Sequence, residues 1–574
     1  MRQNKSKRSL IHDDACYRPA FTLAPLFKNM RTNSVSIHGS TMRMLTPLLL
    51  GLLVLISGCQ KQSEASKTGL IYCAEGSPLS FNPHVSNSGV TLDATARPLY
   101  DRLLEVNPNT LALEPALATD WRISEDGLTY TLTLRKGVTF HHTPWFNPSR
   151  TFNADDVVFT YARQLDELHP YHGVSGGDYP YFFSLGQDLL IKRVYSQGPQ
   201  AVVFELDKPN ASFLATLASD YAVILSAEYG EQMLKAGTPA LLDSRPIGTG
   251  PFHFKEYRHN EFIRYLRHSG YWGGDANIEQ LVYDITPKSA KRLAKLLTGE
   301  CDVMSTPSAS QLSVIQQHPD LRLSIQSGMN VAFLALNTRK PPFNDIKVRQ
   351  AIASAINIDN LLQAVYFDTG QPANSLLPPL SWGYNPSLPE RKPDLKRARQ
   401  LLKEAGLEQG FEMQVLVQPD ARPYNPDAIK TAQLIRNDLA KVGIKLKIVQ
   451  QAWPVIEGRL ARGHYDSLLS GWIADNADPD NFFRQLLSCS AVERGNNYSR
   501  WCSPAFDQLL DDAVTTPQLS FRLRNYYYAQ TLLNEQLPLI PLAHALRTQA
   551  SRNDIEGVTL MPFGGTAFNQ AHRE

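Results

Sequence analysis

The sequence predicts a mixed α/β body, and three observations carry that reading. Ile429, Ala432, Ile435, Leu439 and Val442 keep helical spacing, Gly443 stops the run, and Ile444, Leu446 and Ile448 then alternate with Lys445 and Lys447. Earlier, the alternating stretch Leu128–Leu134 follows the turn Glu125-Asp126-Gly127 and precedes a helix opened by Asn153. No tandem repeat, low-complexity linker or long charge run interrupts the chain. Helix–glycine–strand order without such breaks builds α/β layers in one multi-lobed body.

Taken in order, residues 1–41 are basic but aperiodic, and Met42-Arg43-Met44 leads into the apolar run Leu45–Ile56. A short basic flank before such a run has the build of a secretory signal. The run is too short for a bilayer span, which takes about 20 residues. Ile56-Ser57-Gly58-Cys59 resembles a lipobox, which implies cleavage before Cys59 and acylation there, with 59–68 as a tether. Residues 1–41 are surplus to such a signal, so translation is expected to start at or near Met42. The whole chain of 574 residues has net charge +2, but residues 1–58 hold eight basic and two acidic residues, so the remaining 516 carry −4. A weakly acidic body offers no electrostatic footprint for nucleic acid. At 43% hydrophobic and 20% charged, the full 574-residue chain is neither disordered nor multi-spanning.

Asn153 caps ADDVVFTYARQL, with Asp155 and Asp156 at the positive helix end. Gly248-Thr249-Gly250-Pro251 reads as a turn before another alternating stretch. Arg292–Gly299 is helical with Gly299 as its C-cap. Val331–Leu336 is an apolar strand, and Asn344 or Asp345 caps KVRQAIASAI. Asp394 opens LKRARQLLKEA, which Gly406 stops, and Phe411–Val417 is a strand.

Beyond Cys16 and Cys59, four cysteines remain: Cys73, Cys301, Cys489 and Cys502. An exported chain with an even count is expected to form disulfides. Three connectivities are open; a local Cys489–Cys502 bridge is the simplest choice, leaving Cys73 with Cys301. A zinc site is disfavoured because no C-x₂-C or H-x₃₋₅-H pair accompanies them. Gly173-Val174-Ser175-Gly176-Gly177 matches G-x-S-x-G, but its flanks suit a loop rather than the strand–turn–helix of a hydrolase elbow, so Ser175 is a remote nucleophile candidate. Gly248-x-Gly250 lacks a third glycine in phase and meets a proline, which rules out dinucleotide binding. His141 and His142, adjacent on a strand, would point apart. Residues 471–483, GWIADNADPDNFF, join aromatics to three carboxylates and do not fit the spacing of a calcium loop. They read as an acidic turn or as a ligand mouth for a cationic group.

Blocks 125–140 (EDGLTYTLTLRKGVTF), 152–163 (FNADDVVFTYAR), 246–252 (PIGTGPF), 336–352 (LNTRKPPFNDIKVRQAI) and 471–483 together resemble the peptide/nickel-type family of extracytoplasmic substrate-binding proteins of ABC importers, over residues 69–574. CAEGSPLSFNP (73–83), YHGVSGGDYPYF (171–182) and ARPYNPD (421–427) are similar to the dipeptide-binding branch. LLTGECDV (296–303), GMNVAFLALNT (328–338), ADNADPDNFFRQLLSC (474–489) and MPFGGTAF (561–568) are similar to the antimicrobial-peptide-resistance branch, which is favoured.

The resemblance implies a two-lobed periplasmic binding protein fold of type II, cluster C, with a hinge. Residues 69–327 would form the first lobe with an extra domain at about 109–244, residues 328–545 the second, and 546–574 would return to the first. It implies a non-enzymatic monomer in a Gram-negative periplasm, lipid-anchored, without cofactor or metal, that delivers peptides to an inner-membrane permease with cytoplasmic ATPases. It also implies the pairs Cys73–Cys301 and Cys489–Cys502. In dipeptide-binding relatives the aspartate of W-x-x-D holds the α-ammonium, here Asp475, and the arginine of R-P-Y-N-P holds the terminal carboxylate, here Arg422. Trp472, Tyr424 and Trp453 fall where relatives line the cleft, and Asn87, Ser88 and Gly89 match a further loop. Where dipeptide-type members carry glycine this chain has Ala474, which bears against strict dipeptide specificity. By family analogy haem is an alternative ligand, although no C-x-x-C-H is present.

Overall fold

A 12-stranded mixed sheet runs the length of the body formed by residues 68 onward. The computed structural model describes residues 68–86 and 88–574; the leader, Cys59 and Asn87 lie outside the described residues. From one edge the strands are Lys445–Gln450, Glu412–Val417, Ser467–Ile473, Asn330–Leu336, Leu539–Arg552, Val303–Ser305, Gly69–Ala74, Gln280–Ile285, Phe262–Arg267 and Phe252–Arg258. Leu321–Ser327 and Gly370–Pro372 also pair with Leu539–Arg552.

That 14-residue strand joins the two halves of the sheet. Its first half pairs antiparallel with Asn330–Leu336 and its second with Leu321–Ser327 and Val303–Ser305. Pro541 lies within it, where the register shifts between Ala332 and Phe333. A bulge is where a strand tolerates a proline, which has no N–H to give to the ladder. Each half of the sheet is covered by helices, giving a two-lobed α/β fold. A separate antiparallel four-stranded sheet, in the order Ala118–Ile123, Thr129–Leu134, Ala201–Leu206, Ile191–Ser196, occupies the residues expected to form the extra domain.

The sequence-derived elements have clear physical causes. Helix Ala154–Leu165 begins with a reciprocal capping box: the Asn153 side chain accepts from the backbone, and Asp156 accepts from the Asn153 N–H at 2.9 Å. Asp345, not Asn344, caps Ile346–Ala355. Gly299 closes Ser289–Thr298 in the left-handed conformation, with φ 75°. Asn330–Leu336 is buried at every position, as a central strand covered on both faces must be. His141 and His142 lie in a loop rather than a strand. They do face different surroundings: the His141 ring meets the Gly250 carbonyl at 3.0 Å, and His142 meets Asn147 at 2.7 Å.

Both expected disulfides are present. Cys73 and Cys301 tie the strand Gly69–Ala74 to the segment just after Ser289–Thr298 with Cα atoms 5.9 Å apart; Cys489 and Cys502, 4.5 Å apart, close the segment that holds the short helix Ala491–Arg494. Among the described residues no helix is long and apolar enough to cross a membrane.

Candidate functional site

The strand Ser467–Ile473 delivers Trp472 to the start of the loop 474–479, and the helix Asp480–Leu487 follows at once. Asn481, on the first turn of that helix, organises the loop. Its carbonyl oxygen accepts from the Trp472 indole N–H and from the Asp475 backbone N–H, both at 3.1 Å, and its amide donates to Asp475 Oδ2 at 3.1 Å. The Ala474 N–H donates to the Met329 carbonyl at 2.8 Å, which pins the loop to the neighbouring segment.

The three carboxylates of this loop have different fates. Asp478 is buried against Arg522 at 2.7 Å and also accepts from the Tyr526 hydroxyl at 3.2 Å. Asp480 pairs with Arg484 at 2.8 Å. Among the described residues Asp475 has no cationic partner, and its side chain is met by the Asn481 amide alone. Burial pushes its carboxyl up to about 7, and the Asn481 donor offsets only part of that. A buried carboxylate without a counter-ion favours the protonated form until a cation arrives.

Tyr181 and Tyr221 complete the surroundings. Their rings stack with centroids 4.8 Å apart and planes within 7°. Both hydroxyls are pushed up, first by burial and then by the Asp475 charge. Tyr181 comes from the segment Pro180–Ser184 and Tyr221 from the turn after Phe213–Leu217, so residues distant in sequence face the Asp475 loop.

The Tyr424 ring lies against Gly471. A side chain there would overlap the ring and the Val331 carbonyl, so this strand position takes glycine. The Tyr424 carbonyl accepts from the Tyr366 hydroxyl at 2.8 Å. Arg422 is held only through its backbone, by reciprocal bonds with Asn425 at 3.0 and 2.9 Å, and its side chain is exposed. Trp453 opens the helix Trp453–Ala461; its indole donates to Glu457 at 2.8 Å and its ring meets Tyr498 edge-on at 6.1 Å. Ser88 precedes the helix Gly89–Leu99 without capping it through its side chain, and nothing lies within 4 Å of where a Gly89 side chain would start.

Ser175 stands apart from this site. Its hydroxyl donates to Asp243 with no histidine between, and the His172 ring meets the Arg163 carbonyl at 3.0 Å instead.

A family profile described as bacterial extracellular solute-binding proteins, family 5, middle region, matches residues 112–494. The chain belongs to this family. This family 5 solute-binding protein is 43% identical over 512 residues to the peptide transport periplasmic protein SapA of Salmonella typhimurium, covering 89% of this chain and 93% of that one. It is 44% identical over 512 residues to the dipeptide-binding protein of Escherichia coli, covering 89% and 96%. Among solved structures it superposes on the dipeptide-binding protein of Pseudoalteromonas sp. SM9913 in complex with Met-Leu, with a TM-score of 0.80 and 46% identity, covering 88% of this chain and 100% of that one. The family is one of solute-binding proteins rather than enzymes.

Sequence reasoning reached Asp475, Trp472 and Tyr424 but missed Tyr181, Tyr221 and Asn481. Tyr181 and Asn481 sit inside blocks that carry the family resemblance, at 171–182 and 471–483. Tyr221 lies in none of those blocks, and only the folded chain brings it to the site.

Proposed function

We propose that this protein captures peptides in the cleft between its lobes by holding the peptide α-ammonium at Asp475, then delivers them to an inner-membrane ABC permease driven by cytoplasmic ATPases. One observation carries the reading: of three carboxylates on one loop, two are matched by arginines, while half-buried Asp475 has no cation beside it among the described residues. A charge-assisted bond to an ammonium in a dry cleft supplies what that carboxylate lacks. Tyr424 and Trp472 wall the site, and Arg422 is free to meet the terminal carboxylate of a short peptide as the lobes close. The dipeptide-binding and SapA relatives support peptides as the ligand class.

The lobes we assign are 69–327, with the extra domain at 109–244, and 328–545, with 546–574 returning to the first. The strand Leu539–Arg552, shared by both halves of the sheet, supports a boundary within it. The protein acts in the periplasm as a monomer anchored through a lipid on Cys59. His141 and His268 use both ring nitrogens within the protein, His141 on the Gly250 carbonyl and the Gly248 N–H and His268 on the Gly250 carbonyl and Thr139, so neither is open to haem iron. His84 and His544 meet a carbonyl through one nitrogen only, and haem stays the second reading.

Native mass spectrometry of the protein purified from its own periplasm tests this. The expected adducts are peptides with free amino termini; a porphyrin or another non-peptide adduct in their place overturns the reading.

A further inference from the structure

Asn481 is 5% exposed, on the first turn of the helix Asp480–Leu487, and its side chain faces three groups at once. The helix holds it in place. Phe482, Phe483, Leu486 and Leu487 are all buried, and the Gln485 amide donates to the Ser184 carbonyl at 2.8 Å, at the end of the segment that carries Tyr181. Asn481 thus stands on an element that touches both the Asp475 loop and the Tyr181 segment.

Its neighbours decide which way the amide points. The Trp472 indole N–H and the Asp475 backbone N–H, both at 3.1 Å, can only donate. The side-chain oxygen must face them, and two donors fill it. The NH₂ group is then turned to Asp475 Oδ2 at 3.1 Å. A flipped amide would set nitrogen against two N–H groups and oxygen against a carboxylate, so the orientation follows from the donors and acceptors around it.

That orientation makes the two Asp475 oxygens unequal. Oδ2 accepts from the amide, and the hydroxyl oxygen of a carboxyl is the poorer acceptor, so a proton on Asp475 belongs on Oδ1. Among the described residues no donor meets Oδ1. The other titratable groups around the loop do not compete. Asp478 and Asp480 are spent on Arg522 and Arg484, and the Tyr181 and Tyr221 hydroxyls, pushed up by burial and then by Asp475, stay protonated.

We propose that Asn481 is the positioning residue of the amine site: by binding Asp475 through Oδ2 it leaves Oδ1 to hold a proton in the free protein and to take the peptide α-ammonium once that proton leaves to solvent. The assignment rests on the peptide reading above and deepens it by naming the group that orients and ionises Asp475. Burial pushes the Asp475 carboxyl up to about 7, and the Asn481 amide pulls against it. Loss of that donor keeps the carboxyl protonated to higher pH.

Calorimetry of Met-Leu binding to two variants tests this. Asn481→Leu removes all three bonds. Asn481→Asp keeps an acceptor for both N–H groups and replaces the amide donor with a like charge, so it serves where the leucine variant fails to fold. In each, affinity at pH 7 is expected to fall at least about tenfold, and the pH at which acidification begins to weaken binding should rise by about one unit. The wild type should release about half a proton per peptide at pH 7, and each variant close to one. N-acetyl-Met-Leu should bind all three proteins within about twofold, and Asn481→Leu in an Asp475→Asn background should change Met-Leu affinity by less than about threefold. Equal losses for free and acetylated peptides with an unmoved pH profile, or a full loss that persists in the Asp475→Asn background, overturn the positioning role and leave the peptide reading standing. Unchanged Met-Leu affinity in Asp475→Asn alone overturns the amine reading beneath it.

Discussion

Replacing Asp475 with asparagine separates binding from stability in opposite directions. The substitution keeps the shape and an acceptor for the Asn481 amide, and it removes the charge that a peptide ammonium would meet. Loss of one partner from a desolvated charge pair costs about 3 kcal/mol, or roughly 150-fold in affinity, for a neutral dipeptide such as Met-Leu. An N-acetylated peptide, which brings no cation, should bind both proteins alike. The pH dependence follows from the raised carboxyl. In the free protein Asp475 ionises near 7, and the bound ammonium lowers that value. Peptide amines stay protonated below about 7.7, so wild-type affinity should fall about fiftyfold between pH 7 and 5, while the asparagine variant should show no such fall. Stability runs the other way. The folded carboxyl sits above its unfolded value of 3.8, so the native state binds more protons between about pH 4 and 7 and loses stability as pH rises through that window. The asparagine variant escapes that loss and should be more stable without ligand at pH 8, by at most about 4 kcal/mol. Isothermal calorimetry and chemical denaturation at three pH values read both effects. Equal loss of affinity for free and acetylated peptides would refute the amine role, and a variant less stable at pH 8 would refute the electrostatic account.

Arg422→Gln should weaken dipeptides more than about tenfold and leave peptides of five or more residues within twofold; unchanged dipeptide affinity by calorimetry would remove the carboxylate clamp. Arg522→Met leaves Asp478 buried and unpaired and should cost about 3–5 kcal/mol in urea denaturation, with part of the loss recovered in Arg522→Met/Asp478→Asn; no recovery would mean that the pair is not the cause. Gly471→Ala drives a methyl into the Tyr424 ring and the Val331 backbone. A loss of about 1–3 kcal/mol is expected, together with weakened peptide binding; an unaltered melting temperature would contradict the close packing.

Local chemistry made much of the fold legible. Asn153 and Asp156 three positions apart at the helix start, Gly299 and Gly443 after helices, and the alternation of Leu128–Leu134 each report an interaction between near neighbours. The strand Leu539–Arg552 shows the limit. It is rich in alanine and leucine and carries Pro541, so its own propensity argues against a strand; pairing along both of its own edges overrides it. The site divides the same way. Asp475 stood out because aromatics and carboxylates crowd one stretch, yet nothing in that stretch tells which of Asp475, Asp478 and Asp480 lacks a partner. Arg522 and Arg484 decide that, and Arg522 arrives from more than 40 residues away.

A crystal structure of the protein with Met-Leu tests the central claim most directly. The α-ammonium nitrogen should lie about 2.7–2.9 Å from an Asp475 carboxylate oxygen, with Tyr181 and Tyr221 on the opposite wall. An ammonium bound elsewhere, with Asp475 still joined only to Asn481, would contradict it.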